Sequence, residues 1–271
     1  MTLSINTNVG AMIALRHLNK TNSLLENTQL RITTGLKING PKDDASTFAI
    51  AQNMRGDIAG MAAVRTALVT GESIVNTAVQ GALAISDLLL EMKAKIVQAN
   101  QDGLDTASRT ALHNDFTALR AQIETIVASA EFNGTNLIQS GASNLSVLMT
   151  VAGSTITVSA QNMSPTGIGI QVSDISTSSA AVVALSAIET AITTVNSRLA
   201  DLGTSAKRLE LQSEFTTQLL DILKQGVGNL VDADMAAESA SLTALQVRQQ
   251  LGVQSLAIAN ASPQTILQLF Q

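Results

Sequence analysis

The stretch MAAVRTALVTGESIVNTAVQGALAISDLLLEMKAKIVQA, residues 61–99, carries apolar residues or glycine at Met61, Val64, Leu68, Gly71, Val75, Ala78, Ala82, Ile85, Leu89, Met92, Ile96 and Ala99. Steps of three and four alternate without a break, the spacing of one helix face packed against other helices. Pro41 lies upstream and the next proline is Pro165, so nothing interrupts a helix begun in between. Asp43 or Asp44 is placed to cap its start, and residues 100–103 to stop it. The predicted helix has about 55 residues and a length of about 80 Å at 1.5 Å per residue. That is too long for a compact globule of 271 residues and ordinary for a rod.

Two further stripes have the same period. Leu112, Phe116, Leu119, Ile123, Ile126 and Ala130 predict a helix over residues 105–130. Leu185, Ile188, Ile192, Val195, Leu199, Leu202, Ala206 and Leu209, continuing through Ser213, Thr216, Leu220 and Leu223, predict another, capped by Ser178 or Ser179. Three long stripes of matching period most simply make a three-helix bundle with left-handed supercoil. Residues 144–173 read differently. Leu145, Val147, Met149 and Val151, then Ile156, Val158 and Ala160, alternate in period two around an Ala152-Gly153-Ser154 turn. Ile168, Ile170 and Val172 suggest a third short strand. A β element is therefore expected at about residues 140–175, between Ser/Thr/Gly-rich flanks.

Both ends of the chain return to helical spacing. One series is Ala11, Leu15, Leu18, Asn22, Leu25, Gln29 and Ile32; the other is Leu242, Leu245, Gln249, Gly252, Leu256, Ala259, Pro263, Ile266 and Phe270. Neither helix can bury its own stripe, and isolated helices are marginal in water. The simplest solution pairs the first segment with the last. Val247, Leu251 and Ile258 form a second apolar set, rotated away from the first, and from Leu242 onward the only charge is Arg248. Two apolar faces need two neighbours: the N-terminal helix and other copies of the chain. The expected fold class is mainly α, a long-helix coiled-coil bundle with a small β-hairpin element and paired N- and C-terminal segments. The expected domains are residues 1–40 with 230–271, a terminal coiled-coil inner core, and residues 41–229, a helical rod.

Composition narrows the function. Hydrophobic residues make up 45% but aromatics only 2%, with no Trp or Tyr, which suits close helix packing better than a pocket for a flat ligand. A net charge of −5 and no basic run argue against nucleic acid. The absence of cysteine excludes a disulfide framework and a thiolate site. The only histidines, His17 and His113, are far apart and no HExxH occurs, so a zinc peptidase is not expected. Asp43-Asp44 reads as helix capping plus an intersubunit charge contact to Arg31 or Lys42, and Asp232, Asp234 and Glu238 as the cap-forming start of the last helix. No nucleophile, base and metal set converges, so no enzyme, cofactor or metal site is expected. Residues 1–10 lack a charged n-region, an apolar core and a small-residue cleavage site, and no stretch of eighteen uncharged apolar residues predicts a membrane span.

Three motifs resemble one family. TGLKINGPKDDASTFAIA, residues 34–51, is similar to the flagellin pattern SGLRINSAKDDAAGLAIA, and FNGTNLI, residues 132–138, to its FNGxxLL. VDADMAAE at 231–238, QQLG at 249–252 and PQTILQLFQ at 263–271 resemble its C-terminal signature. The chain thus resembles a short bacterial flagellin with little or no variable outer domain. The resemblance implies a structural subunit that self-assembles into the hollow helical filament of the flagellum for motility. A hook–filament junction protein of the same fold is the alternative. It implies a filament inner-core interface built from Leu15, Leu18, Leu25, Ile32, Leu242, Leu245, Leu251, Leu256, Ile266 and Phe270, with rod contacts at Arg31, Lys42, Asp43 and Asp44. It also implies type III export to the filament without a cleaved Sec signal. The implied partners are other flagellin copies, an export chaperone, the filament cap and the hook-junction proteins, with no nucleic acid and no membrane insertion. Finally, the family's RxRELAVQ receptor motif is broken at residues 91–98: Glu91 stands for an Arg, Ala94 for a Glu and Lys95 for a Leu. Weak or no activation of the innate immune flagellin receptor is expected.

Overall fold

The computed structural model describes residues 7–269, with side chains through residue 261. The elements in chain order are α1 (Val9–Thr34), α2 (Ala45–Ala99), α3 (Thr106–Ser129), β1 (Glu131–Phe132), β2 (Thr135–Asn136), β3 (Leu145–Leu148), β4 (Thr155–Val158), α4 (Ser178–Val231) and α5 (Met235–Leu269). They group into two compact units, one of residues 1–56 with 222–271 and one of residues 57–221.

In the second unit α2, α3 and α4 share one apolar core. On α2 Val64, Leu68, Val75, Ala78, Ala82, Ile85, Leu89, Met92, Ile96 and Ala99 are all buried, as the spacing of the opening stretch requires. Phe116, Ile123 and Val127 reach the core from α3, and Ile188, Val195, Leu202 and Leu209 from α4. Each helix begins where a side-chain oxygen accepts backbone N–H groups that the helix itself leaves unpaired. Asp44 accepts from Ser46 N at 2.9 Å and Thr47 N at 3.1 Å, so of the two expected caps for α2 it is Asp44 that serves. Asp105 caps α3, its side chain accepting from Ser108 N. For α4 the cap is Thr177, one residue ahead of the expected serines, with its hydroxyl oxygen accepting from Ala180 N at 3.1 Å.

The β region departs from expectation in three ways. First, β3 and β4 pair antiparallel, Leu145 opposite Val158 and Leu148 opposite Thr155, but the ladder stops short of Val151 and Ala160. Residues 149–154 form a wider loop, closed by Met149 N donating to Ser154 O at 2.7 Å. Secondly, the expected third strand does not form. Ile168 and Ile170 are both buried, and the chain turns between them: Ile168 N donates to Ser164 O and Ile170 N to Pro165 O. Arg198 of α4 donates to the carbonyls of Asn162 and Gly167, pinning the coil; Val172 projects outward. Two residues spaced by two read as a strand, but a proline and a left-handed Gly169 convert them into a knotted turn with both side chains inward. Thirdly, a hairpin that the alternation did not reveal joins β1 to β2. Its turn is Asn133-Gly134, with φ of 50° and 77°, the left-handed pair that a two-residue hairpin loop demands. It delivers Leu137 and Ile138, both fully buried, to the core.

The β3 strand lies directly on α2. A Cβ at Gly71 would sit 2.5 Å from Val147 Cγ2, so only glycine lets the strand come this close. Two helices contain 18-residue windows of mean hydropathy 1.4 (α2) and 1.5 (α4), apolar enough to cross a membrane by length and composition. Every eighteen-residue window of either helix still carries a charged residue, such as Asp87 or Glu189, so the expectation that no uncharged apolar stretch of that length occurs is not contradicted, and both helices spend part of that surface on the shared core.

Candidate assembly site

The first unit holds α1 antiparallel to α5. Backbone hydrogen bonds fix the base of the pair: Ala233 N donates to Gly35 O at 2.9 Å and Lys37 N to Val231 O at 2.7 Å, with Leu36 and Asp232 in an isolated β-bridge. Gly35 ends α1 in the left-handed conformation (φ 71°), and its N–H returns to Arg31 O. Asp234 accepts from Ala236 N and Ala237 N at the start of α5. Along the seam Arg31 Nη1 donates to Glu238 Oε1 at 3.1 Å, Gln249 Nε2 to Asn22 Oδ1 at 2.9 Å, and Asn8 Nδ2 to Ala259 O at 2.7 Å.

Leu18, Leu25 and Ile32 on α1 and Leu242, Leu245 and Leu256 on α5 turn at least partly inward, with Leu245 the most buried. Leu15 does not: it is 47% exposed, and Gln29 is exposed too. The inward positions on α1 are Ala11, Ala14, Leu18, Thr21, Asn22, Leu25, Thr28 and Ile32. Reading apolarity alone favoured Leu15 over its neighbour Ala14, whereas the seam takes the smaller side chain. Leu251 is 59% exposed and Ile258 67%, and with Val247 they give α5 an uncovered apolar face. Val9, Met12, Ile13, Leu24 and Leu30 do the same on α1. The side chain of Ile266, and Phe270 altogether, lie outside the described residues.

The charged residues expected to reach between subunits are engaged inside the chain. Arg31 pairs with Glu238, and Asp43 Oδ2 accepts from Asn39 N and Gly40 N, closing the loop before α2. Asp44 is the α2 cap, and Lys42 is exposed. Hydrogen bonds from the Thr47 hydroxyl and amide hold the Asp44 carboxyl below its ordinary pKa; Ser108 does the same for Asp105. A depressed carboxyl stabilises the folded state fully above the unfolded value of about 3.9 and loses that contribution as pH falls through the folded value. Acidification below about pH 4 is therefore expected to fray the first turns of α2 and α3, measured as lost amide-exchange protection at Thr47 and Ser108, while Asp44→Asn leaves a smaller change at Thr47.

Paired terminal helices with an uncovered apolar face, in a chain that also carries a helical unit with a small hairpin, are the features of a structural subunit. The model of the bacterial flagellin N-terminal helical region matches residues 5–143, and that of the C-terminal helical region residues 185–270. The chain belongs to the bacterial flagellin family. It is 46% identical to flagellin FljK of Caulobacter vibrioides over 269 residues, covering 99% of this chain and 98% of that one. It is 38% identical to a flagellin of Brucella melitensis over 284 residues, covering 99% of each. Its fold is like that of a putative flagellar hook-associated protein from Vibrio parahaemolyticus (TM-score 0.58, 13% identity, 70% of this chain and 100% of that one). The crystal structure of Bacillus cereus flagellin gives a TM-score of 0.50 at 20% identity, over 54% of this chain and 86% of that one. The protein is a structural subunit of the flagellar filament, which flagellins form outside the cell.

Proposed function

We propose that α1 and α5 form the innermost layer of the filament, residues 1–40 with 230–271 making the terminal coiled-coil domain and residues 41–229 the surrounding rod. The observation that carries this reading is the pair itself: one face of each helix is spent on the other, and a second apolar face is left uncovered. A patch repeated on every copy, met by a different surface of the next, makes a contact that does not close and so propagates. The inner-core contacts are Leu15, Leu18, Leu25, Ile32, Leu242, Leu245, Leu251, Leu256, Ile266 and Phe270. In this reading Leu15 and Leu251 face neighbouring copies, and the leucines of the seam hold the pair that presents them. Lys42 is left as the rod charge available to a neighbour, since Arg31, Asp43 and Asp44 act within the chain.

The test separates the two faces. Leu251→Asp, on the uncovered side, is expected to leave the far-UV circular dichroism spectrum unchanged and to stop polymerisation onto filament seeds. Normal filaments from this variant would remove α5 from the interior.

Export without a cleaved signal, with a dedicated chaperone, and incorporation between hook-junction proteins and a filament cap follow from the same reading. No catalytic role, cofactor or metal is part of it. Weak or absent activation of the innate immune flagellin receptor is proposed from residues 91–98. Beyond the broken motif, Lys93 is paired with Glu189 at 2.9 Å and Lys95 with Asp115 at 2.7 Å, so neither lysine is free to meet a receptor carboxylate without losing its own. Purified monomer is expected to give near-background signal in a receptor-reporter cell line at concentrations where an intact-motif flagellin saturates it.

A further inference from the structure

A chain without Cys, Trp or Tyr leaves methionine as the side chain that a peroxide attacks most readily. Of its eight methionines, Met92 and Met163 have no exposed surface, and Met54, Met61 and Met149 are half-buried. Met12 and Met235 are 59% and 44% exposed, and both belong to the terminal pair, on α1 and α5. Met1 lies outside the described residues. The surroundings of the two exposed residues differ. Beside Met12 stand Val9, Ile13 and Leu15, all exposed and apolar, within the uncovered face of α1. Met235 opens α5 among Asp232, Asp234, Glu238 and Ser239. Oxidation turns the flexible apolar thioether into a polar sulfoxide whose oxygen takes hydrogen bonds from water. In the polar setting of Met235 that oxygen stays hydrated. At Met12 it stands in a face that must shed its water to meet another copy, and an unpartnered polar oxygen is costly to bury.

We propose that Met12 is an oxidation site that controls assembly. A hydrogen-peroxide-class oxidant transfers one oxygen atom to the thioether sulfur of the free subunit: the O–O bond breaks, an S–O bond forms, the sulfur gives up an electron pair and the peroxide is reduced to water. The sulfoxide subunit stays folded but does not join a filament, while a subunit already in place has Met12 covered by its neighbours. The inference rests on the reading that the uncovered face of α1 meets other copies in the filament interior.

The full chain is treated as free subunits with hydrogen peroxide, mapped by peptide mass spectrometry and then offered to filament seeds. Sedimentation reads polymer yield and circular dichroism reads helix content. Met12 and Met235 are expected to gain oxygen at least tenfold faster than Met92 and Met163, as oxidation follows exposure. The treated chain is expected to lose at least tenfold in polymer yield with its helix content kept. Treated M12L is expected to stay within twofold of its own untreated yield, treated M235L to fail as the parent does, and a methionine sulfoxide reductase to restore the parent. Filaments treated after assembly are expected to oxidise at Met12 at least tenfold more slowly than free subunits. Failure of treated M12L would overturn the proposal, since the damage would lie at another residue. So would full polymer yield from parent subunits carrying the Met12 sulfoxide. M12D then tells which idea has failed. If it stays folded but cannot polymerise, the face of α1 remains an assembly contact and oxidation alone is struck out; if it polymerises normally, that face meets no other copy and the proposal falls with the reading beneath it.

Discussion

Leu256→Asp is expected to abolish filament formation while leaving the second unit folded, and Leu25→Asp to do the same from the opposite helix. Both side chains are turned toward the seam, and neither substitution touches the core formed by α2, α3 and α4. Each leucine is half-buried, and removing it forfeits about 1 kcal/mol. Desolvating an unpaired carboxylate in its place costs about 2 kcal/mol more at the low end. Together, about 3 kcal/mol raises the critical concentration for polymerisation about a hundredfold, since each 1.4 kcal/mol is a factor of ten. The loss recurs at every subunit, so no stretch of filament escapes it. Sedimentation after seeding reads the outcome directly, with circular dichroism at 222 nm to show that most of the helix survives. Polymer yield within twofold of the unaltered chain would mean that the seam is not what supports assembly.

The second large effect lies in the other unit. Phe116→Ala is expected to destabilise it by about 3–5 kcal/mol, the usual range for removing a fully buried phenylalanine. Phe116 has no exposed surface and is among the largest side chains of a core otherwise built from Ala, Val, Ile, Leu and Met. Phe215→Ala supplies the comparison: that ring, on α4, is 57% exposed, and its removal is expected to shift stability by no more than about 0.5 kcal/mol. Urea denaturation of both variants followed by circular dichroism decides the matter; equal midpoints would show that Phe116 is not the anchor its burial makes it.

The contrast between those two phenylalanines shows where sequence alone is informative. Phe116 occupies a position in a stripe of period three and four, and every stripe of that kind in α2, α3 and α4 corresponds to a buried face. Long helices with few charges and few breakers are the easiest elements to read, because many weak signals at one period agree. The capping residues were legible for the same reason, to within one residue at Thr177. Short elements were not. The Asn133-Gly134 hairpin has two residues per strand, too few for alternation to register, although the dipeptide itself is a strong turn signal. Ile168 and Ile170 show the opposite error: spacing by two without the flanking strand that would make it meaningful. On the assembly site the ambiguity was rotational. Ala14 and Leu15 are neighbours, and a heptad count on apolarity chose the larger one, while close helix approach rewards the smaller. Partnership was the least legible feature. Arg31 and Glu238 stand 207 residues apart, and nothing local marks them as an ion pair.

That separation has a consequence for how the molecule is made. Every polar tie between α1 and α5 spans more than 200 residues of chain, from Arg31–Glu238 to the Asn8–Ala259 bond at 251. Among the described residues the two helices are joined through backbone hydrogen bonds where Leu36 meets Asp232, and the side-chain ties follow one after another away from that hinge. A polypeptide made start-first must reach its final seventh, which holds α5, before the first helix finds its mate. During that interval the greasy leading segment has no α5 in its own chain to close on.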